Sequence, residues 1–437
     1  MIRDGVRWTL QHGIPRQLVR RAARTGEPQG RLLTDPATWR DPYPLHAEVR
    51  ARGELVPGSL SVLTASHRVT REVLGSADFG VVGPVEQLPG RLARLHAWAA
   101  QGAPVHPLAP PSLLGVDPPE HTRYRRLVSK VFTARAVEAL RPRVRQTAGA
   151  LLDDLARVAA RPGGDGVADL VDGYAVRLPV AVIADILGVP EQRRDEVLAF
   201  QHGLAKSLDA ATGWREFRAV EGSLRGFDDW IGRHLAQLRR EPGEDLLSGL
   251  LAAEDDGTRL DERELRATAG LLLAAGFETT VNLIGSAAEL LLTHPGQLAA
   301  VRADPELWPG AVEESLRLES PVQITSRAAQ RDTRVAGHAV RRGTRLVTLL
   351  GAANRDPEVF ADPERFDVRR PNARDHLAFS AGRHHCLGAA LARLEGEEGL
   401  RALFERFPDL ALAPGARRTS TRVLRGWEHL PVRLGGA

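Results

Sequence analysis

Residues 379–396 read FSAGRHHCLGAALARLEG, and Cys386 within them is the sole cysteine of the 437-residue chain. It stands between a loop of small residues and an apolar run, LGAALARLEGEEGLRALFERF, whose spacing predicts a helix. Cys386 is therefore expected at or just before a helix N-terminus, where the macrodipole and free N–H groups favour a thiolate. A thiolate can serve as a nucleophile or a metal ligand. Gly382 and Gly388 flank it, and glycine lets a backbone approach a flat ligand closely. The plain alternative is a small buried hydrophobe, the ordinary role of a lone cysteine.

The bulk numbers narrow the class. Hydrophobic residues make up 43% and charged residues 26%, as in ordinary globular proteins. The formal net charge is +4 while the sequence pI is 9.8, because nearly every basic residue is arginine; lysine occurs only at Lys130 and Lys206. The 55 acidic residues are interspersed with the arginines, so no block of like charge points to nucleic acid. A basic patch formed on folding could still receive an acidic protein. One cysteine excludes an internal disulfide framework and a multi-cysteine zinc site, and fits a reducing cytoplasm. No run approaches the roughly 20 apolar residues of a transmembrane anchor. The opening MIRDGVRWTLQHGIPRQLVRRAARTG carries charges within its first apolar stretch, unlike a secretory signal. It reads as a surface helix, with contact to a membrane face as the alternative.

Along the chain, helical periodicity dominates, and no repeat or low-complexity linker interrupts it. LDERELRATAGLLLAAGFETTVNLIGSAAELLLTH is long and apolar on most faces, so it should run through the centre. Strand signals are confined to residues 55–66, 333–350 and 419–434. Residues 80–121 are rich in Pro and Gly yet carry apolar and aromatic side chains such as Trp98, the makeup of an ordered binding loop or lid. The pattern predicts a mainly α fold with a smaller β region, formed as one interlocked domain over residues 1–437.

FSAGRHHCLG fits Phe-x-x-Gly-x-His/Arg-x-Cys-x-Gly, and here the chain resembles the cytochrome P450 monooxygenases. The resemblance implies haem b, with Cys386 as the proximal thiolate ligand, Phe379 beside its sulfur and His384 on a haem propionate. Thiolate ligation favours O–O cleavage. Ser380 departs from the glycine of many bacterial members. Four further segments follow in the family's order. In LLLAAGFETTVN, Ala275 and Thr279 lie at i and i+4 with Gly276 beside them, leaving room for a gas molecule one turn from a hydroxyl. Glu278 and Thr279 resemble the family's acid–alcohol pair for proton delivery, on a long central helix over the haem. Glu314 and Arg317 in EESLR resemble its structural Glu-x-x-Arg pair, completed by Arg365. His121 and Arg125, at i and i+4 in HTRYRR, and Arg327 in ITSRAA resemble its propionate-binding set, suited to carboxylates by the arginine fork. Arg123 and Arg126 read as surface charges by comparison. AANRDPEVFADPERFDVRR resembles the meander before the cysteine loop.

The function so implied is oxygenation of an apolar organic small molecule by O2. Electrons would come from NAD(P)H through a separate ferredoxin reductase and ferredoxin, in the cytoplasm. Ferredoxin is expected at Arg126, Arg383 and Arg393. Substrate contacts are expected in residues 80–114, at Leu271, Ala274, Val322 to Thr325 and Trp427. Three alternatives stay open: oxidative coupling or peroxide-driven oxidation, a non-catalytic haem-binding protein, and a Cys–His hydrolase built on Cys386 with His384 or His385. Glu278 and Thr279 argue against a peroxide-only enzyme.

Overall fold

A computed structural model describes residues 2–81, 90–160, 166–254 and 257–435. In chain order, the helices that shape the site are α1 (Ile2–Trp8), α2 (Ile14–Arg24), α3 (His67–Gly75), α4 (Gly90–Ala99), α5 (Glu120–Val131), α6 (Arg141–Ala159), α7 (Arg177–Ile186), α8 (Trp214–Arg240), α9 (Glu262–Gly276), α10 (Glu278–Thr293), α11 (Trp308–Leu318) and α12 (Ala389–Arg406). A five-stranded sheet lies beside them, formed by β1 (Val56–Pro57), β2 (Val62–Thr64), β3 (Phe79–Gly80), β4 (Ile324–Ala329) and β5 (Arg345–Leu349). Its order is β1-β2-β5-β4-β3. Only the β2–β5 pairing is parallel, and Arg327 on β4 sits opposite Leu346 on β5. The fold is mainly α with a smaller β region, as the periodicity implies.

The central helix starts at a capping box. The Asp261 carboxylate accepts from the Glu264 N–H, and the Glu264 carboxylate accepts from the Asp261 N–H. Glu264 also receives the Tyr124 hydroxyl at 2.8 Å and pairs with Arg123, so α5 is fastened to α9. Arg123 is thus a tie between helices and more than the surface charge its sequence context suggests. The stretch from Glu262 to Thr293 is long and apolar enough to cross a membrane by composition, contrary to expectation, but 67% of its most apolar window is buried inside the protein.

That stretch is two helices and not one. It breaks at Phe277, between α9 and α10. Thr279 Oγ1 donates to the Ala275 carbonyl at 2.8 Å, and Thr280 Oγ1 donates to the Gly276 carbonyl at 3.0 Å. Hydroxyls that bond back four residues bend a helix, and Gly276 lowers the cost of bending. Beyond the break, α10 packs on α12 in the core, where Leu283 meets the backbone at Gly396. Gly399 permits the closest approach: a Cβ there would stand 2.8 Å from Leu178 on α7. The cysteine helix is thereby held against the central one.

Several expectations shift. The 80–114 segment contains α4, so only part of it is loop; residues 82–89 lie outside the described residues. β4 and α7 carry neither of the periodicities sought. α7, RLPVAVIADI, is buried on nearly all faces. Strand β4 is half-buried for three residues and then buried for three.

Candidate active site

The cysteine loop is built by backbone geometry first. Ser380 and Gly382 both take positive φ, +63° and +67°. Gly382 is obligatory, since a Cβ would stand 2.3 Å from the Leu74 carbonyl at the end of α3. Ser380 occupies its left-handed conformation with a side chain, and its hydroxyl is buried without a hydrogen-bond partner among the described residues. The Cys386 N–H donates to the Phe379 carbonyl at 2.9 Å and closes the loop. Gly388 is the N-cap of α12, so Cys386 lies just ahead of the helix, as expected.

Two acids on α11 brace this loop. Glu313 accepts from His376 at 3.0 Å and from Arg393 at 2.5 Å. Burial pushes its carboxyl up, yet these two hydrogen bonds hold it down at about 2. Arg393 also lies over the Phe379 ring, 4.6 Å from its centroid. Glu314 and Arg317 are both fully buried and form a two-pronged pair at 2.8 Å. The third member is Arg370, whose Nε lies 3.0 Å from Glu314 Oε1, and not Arg365. Arg365 contributes only its backbone carbonyl, which accepts from Arg317 at 3.1 Å and Arg370 at 3.0 Å. The meander carries arginines at both positions, and its backbone path alone decides which one turns inward.

A second cluster gathers beside the cysteine. The His121 and His384 rings touch, with centroids 4.3 Å apart and planes tilted by 57°. His384 Nε2 lies 3.5 Å from Asp117 Oδ1, and Arg125 Nη1 donates to the His385 carbonyl at 2.8 Å. Arg327 comes in from β4, 5% exposed, within the field of Asp117 and Arg383. Burial, reinforced by the charges of His384 and Arg125, lowers His121 to about 4, and burial lowers Arg327 to about 10. His121 Nε2 is buried with no hydrogen-bond partner among the described residues, and Arg327 has no ion pair there. Arg327 Nη1 donates to the Ser326 carbonyl at 2.8 Å and to Thr325 Oγ1 at 3.2 Å, which leaves its other N–H groups for a ligand. An orphan imidazole and a buried guanidinium with no ion pair among the described residues form a donor set suited to an anionic group. These residues therefore fit the carboxylates of haem.

Cys386 is accessible at its surface yet ringed by protein. Burial pushes the thiol up, opposed by the Gly388 N–H and the charges of Arg125 and Arg393. The Gly388 N–H at the helix N-terminus favours the thiolate, as the sequence implies, while burial works against it; a bound cation would add to the same side as the N–H. No hydrogen bond joins its sulfur to either neighbouring imidazole among the described residues: His384 is turned toward Asp117 and His121.

On the central helix, Ala275 is exposed although Leu273, Ala274 and Phe277 around it are buried. Ala274 belongs to the core and not to a substrate surface, while Leu271, Val322, Ile324, Thr325 and Trp427 are half-buried. Gln323, between them, is buried and donates to the Ser320 carbonyl. Glu278 is buried and Thr279 half-buried. Sequence reasoning missed Asp117, Glu313 and Glu395. Asp117 stands four residues before His121, its carbonyl accepting from the His121 N–H at 3.1 Å, and Glu313 adjoins Glu314, so both were within reach of spacing arguments. Glu395, buried on α12, is pushed up to about 8 by burial against a hydrogen bond with Thr280. Nothing in its local sequence announces a neutral carboxyl.

Residues 112–416 match the family model described as Cytochrome P450. The chain is 52% identical to cytochrome P450 140 of Mycobacterium tuberculosis, covering 100% of this chain and 99% of that protein. It is 46% identical to the 6-deoxyerythronolide B hydroxylase of Saccharopolyspora erythraea, over 73% of this chain and 77% of that one. The solved cytochrome P450 of the Bacillus subtilis bacillaene polyketide synthase superposes with a TM-score of 0.80 at 32% identity, covering 92% of this chain and 98% of that one. The chain belongs to the cytochrome P450 family, and it is a haem b-dependent monooxygenase of that family. Family membership overturns the Cys–His hydrolase and the non-catalytic haem protein.

Proposed function

We propose that this chain inserts one atom of O2 into an apolar organic small molecule, taking electrons from NAD(P)H through a ferredoxin reductase and a ferredoxin. All 437 residues would act as one catalytic unit in the cytoplasm. The observation that carries the site assignment is the convergence of the sole cysteine with an orphaned His121, Arg125 and Arg327 from three separate segments. Cys386 would ligate the iron, with Phe379 packed beside the loop and Gly388 donating its N–H toward the sulfur. His121, Arg125, Arg327 and His384 would hold the propionates. Haem, when bound, supplies dioxygen activation and oxygen-atom transfer. The relative that hydroxylates 6-deoxyerythronolide B supports a polyketide-like substrate and a place in secondary metabolism.

Thr279 and Glu278 would hold and pass protons at the helix break, beside the exposed Ala275. The Thr279 hydroxyl already occupies a defined place, donating to the Ala275 carbonyl. Thr279→Ala should leave substrate-induced spectral shifts intact and divert electrons to hydrogen peroxide. Product formed per NADH consumed should fall about tenfold or more, in line with the loss of one proton-transfer group. An unchanged ratio would remove Thr279 from proton delivery.

The partner assignment rests on charge. Arg126 is exposed on α5, and Arg383 is half-buried, donating to the Ser76 carbonyl at 3.2 Å. Arg393 drops out of the docking set, because Glu313 and Phe379 engage it. Arg126→Glu should slow reduction by an acidic ferredoxin about tenfold at low salt. The difference should shrink as the Debye length falls to about 8 Å near physiological ionic strength. Peroxide-supported turnover, which needs no partner, should be unaffected; loss of both routes would assign Arg126 to folding or haem retention.

A further inference from the structure

Six of the nine exposed large hydrophobic residues among the described ones lie on α1, α2 and α4. Ile14 and Leu18 sit at i and i+4 on α2, with Arg21 one turn further on the same side. Leu92, Leu95 and Trp98 repeat at three-residue spacing along α4. The two groups are physically joined: α1 runs through a π-helical turn, Thr9–Gly13, directly into α2, and Arg3 on α1 lies over the Trp98 ring, 5.2 Å from its centroid. The N-terminal helices are themselves clamped to the body. Trp8 Nε1 donates to the Thr212 carbonyl at 3.1 Å, and Arg7 pairs with Glu221. The exposed side chains therefore belong to a fixed surface.

The charge on this surface has one sign. α2 carries Arg16, Arg20, Arg21 and Arg24 and no acid; α4 carries Arg91 and Arg94 and no acid. Asp4, the lone acid of α1 and α2, is engaged by Arg7 and Arg225. Arg20, Arg21, Arg24, Arg91 and Arg94 are exposed and have no carboxylate partner among the described residues. A second copy of the chain would bring like charges together, which repel. An anionic bilayer surface complements both features at once: phosphates meet the guanidinium groups while Ile, Leu and Trp side chains enter the acyl boundary. Arginine stems can lie along apolar surface and keep their heads at the phosphate level.

We propose that α1, α2 and α4 form a peripheral docking face for anionic lipid bilayers. The full-length, haem-loaded protein would be mixed with sedimenting vesicles of phosphatidylcholine containing about 30% phosphatidylglycerol, and with vesicles of phosphatidylcholine alone. The protein should co-sediment with the anionic vesicles, far less with the neutral ones, and progressively less as salt is raised. Ile14→Asp with Leu18→Asp, and separately Arg20→Glu with Arg21→Glu, should each reduce partitioning about tenfold or more. Both variants should keep the thiolate spectrum and the substrate-induced shift, because none of these residues belongs to the active site. Equal partitioning onto neutral and anionic vesicles, no partitioning at all, or wild-type partitioning by both variants would overturn the proposal. So would a dimer in solution that the same substitutions dissolve, which would give the face to a second copy. Failure here leaves the spectral and turnover tests of the active site untouched.

Discussion

Cys386→Ser should abolish the red-shifted Soret band of the reduced, carbon monoxide-treated protein and reduce product formation to background. The sequence contains no second cysteine that could take its place. Of the imidazoles near it in sequence, His384 is committed to His121 and Asp117 and His376 to Glu313, while the His385 ring lies against Phe379. The loop should survive the change. Its closure uses the Cys386 backbone N–H, the positive φ of Gly382 and the Glu313 brace, none of which involves the sulfur. A folded variant lacking the band is therefore the expected product, distinguishable from an unfolded one by its far-ultraviolet circular dichroism. Retention of the band in the serine variant would show that the thiolate is not the ligand, and a wild-type protein lacking the band after loading with haem would do the same.

Removing the Glu314 carboxylate should be the most destabilising single change outside the cysteine. Glu314 and Arg317 are fully buried, and Arg370 approaches the same carboxylate. Glu314→Ala strands two guanidinium groups in the interior and also leaves the Asp367 N–H without its acceptor. Breaking a buried pair by deleting one partner costs about 3–5 kcal/mol. The loss should appear as a lower urea midpoint and as poor haem occupancy, because this pair anchors the meander that leads into the cysteine loop. Arg365→Ala is the matched control. Among the described residues Arg365 is held only through its backbone N–H and carbonyl, which every residue but proline carries, so the control should stay within about 1 kcal/mol of wild type. If Arg365→Ala proves as damaging as Arg370→Ala, the assignment of the third arginine is wrong.

The contrast between those two arginines shows where sequence stops being informative. Helix-scale spacing predicts Glu314 with Arg317, His121 with Arg125, and Ala275 with Thr279, because an α-helix fixes which residues share a face. In the structure Thr279 bonds back to the Ala275 carbonyl one turn away, and Glu314 and Arg317 form a buried pair on α11. In the meander no such periodicity exists, so the choice between Arg365 and Arg370 depends on backbone turns that no spacing encodes. The break at Phe277 was hidden for a related reason: apolar periodicity continues across it, and only the threonine hydroxyls and Gly276 reveal it. Helix α4 was obscured by the Pro- and Gly-rich residues on both sides of it. The cofactor loop was legible because its glycine, histidine and cysteine positions are each constrained by backbone conformation or ligand chemistry.

The break in the central helix has a further consequence, one of populations. Among the described residues, the Thr279 hydroxyl is lent to a backbone carbonyl and not locked by a side-chain network. A net hydrogen bond of this kind contributes about 1 kcal/mol, so the hydroxyl can leave its carbonyl at small cost. Recruiting that hydroxyl for another acceptor then requires no new conformation, only a shift between two states that coexist at equilibrium. The chain would thus carry a proton donor in standing reserve, drawn from its own secondary structure.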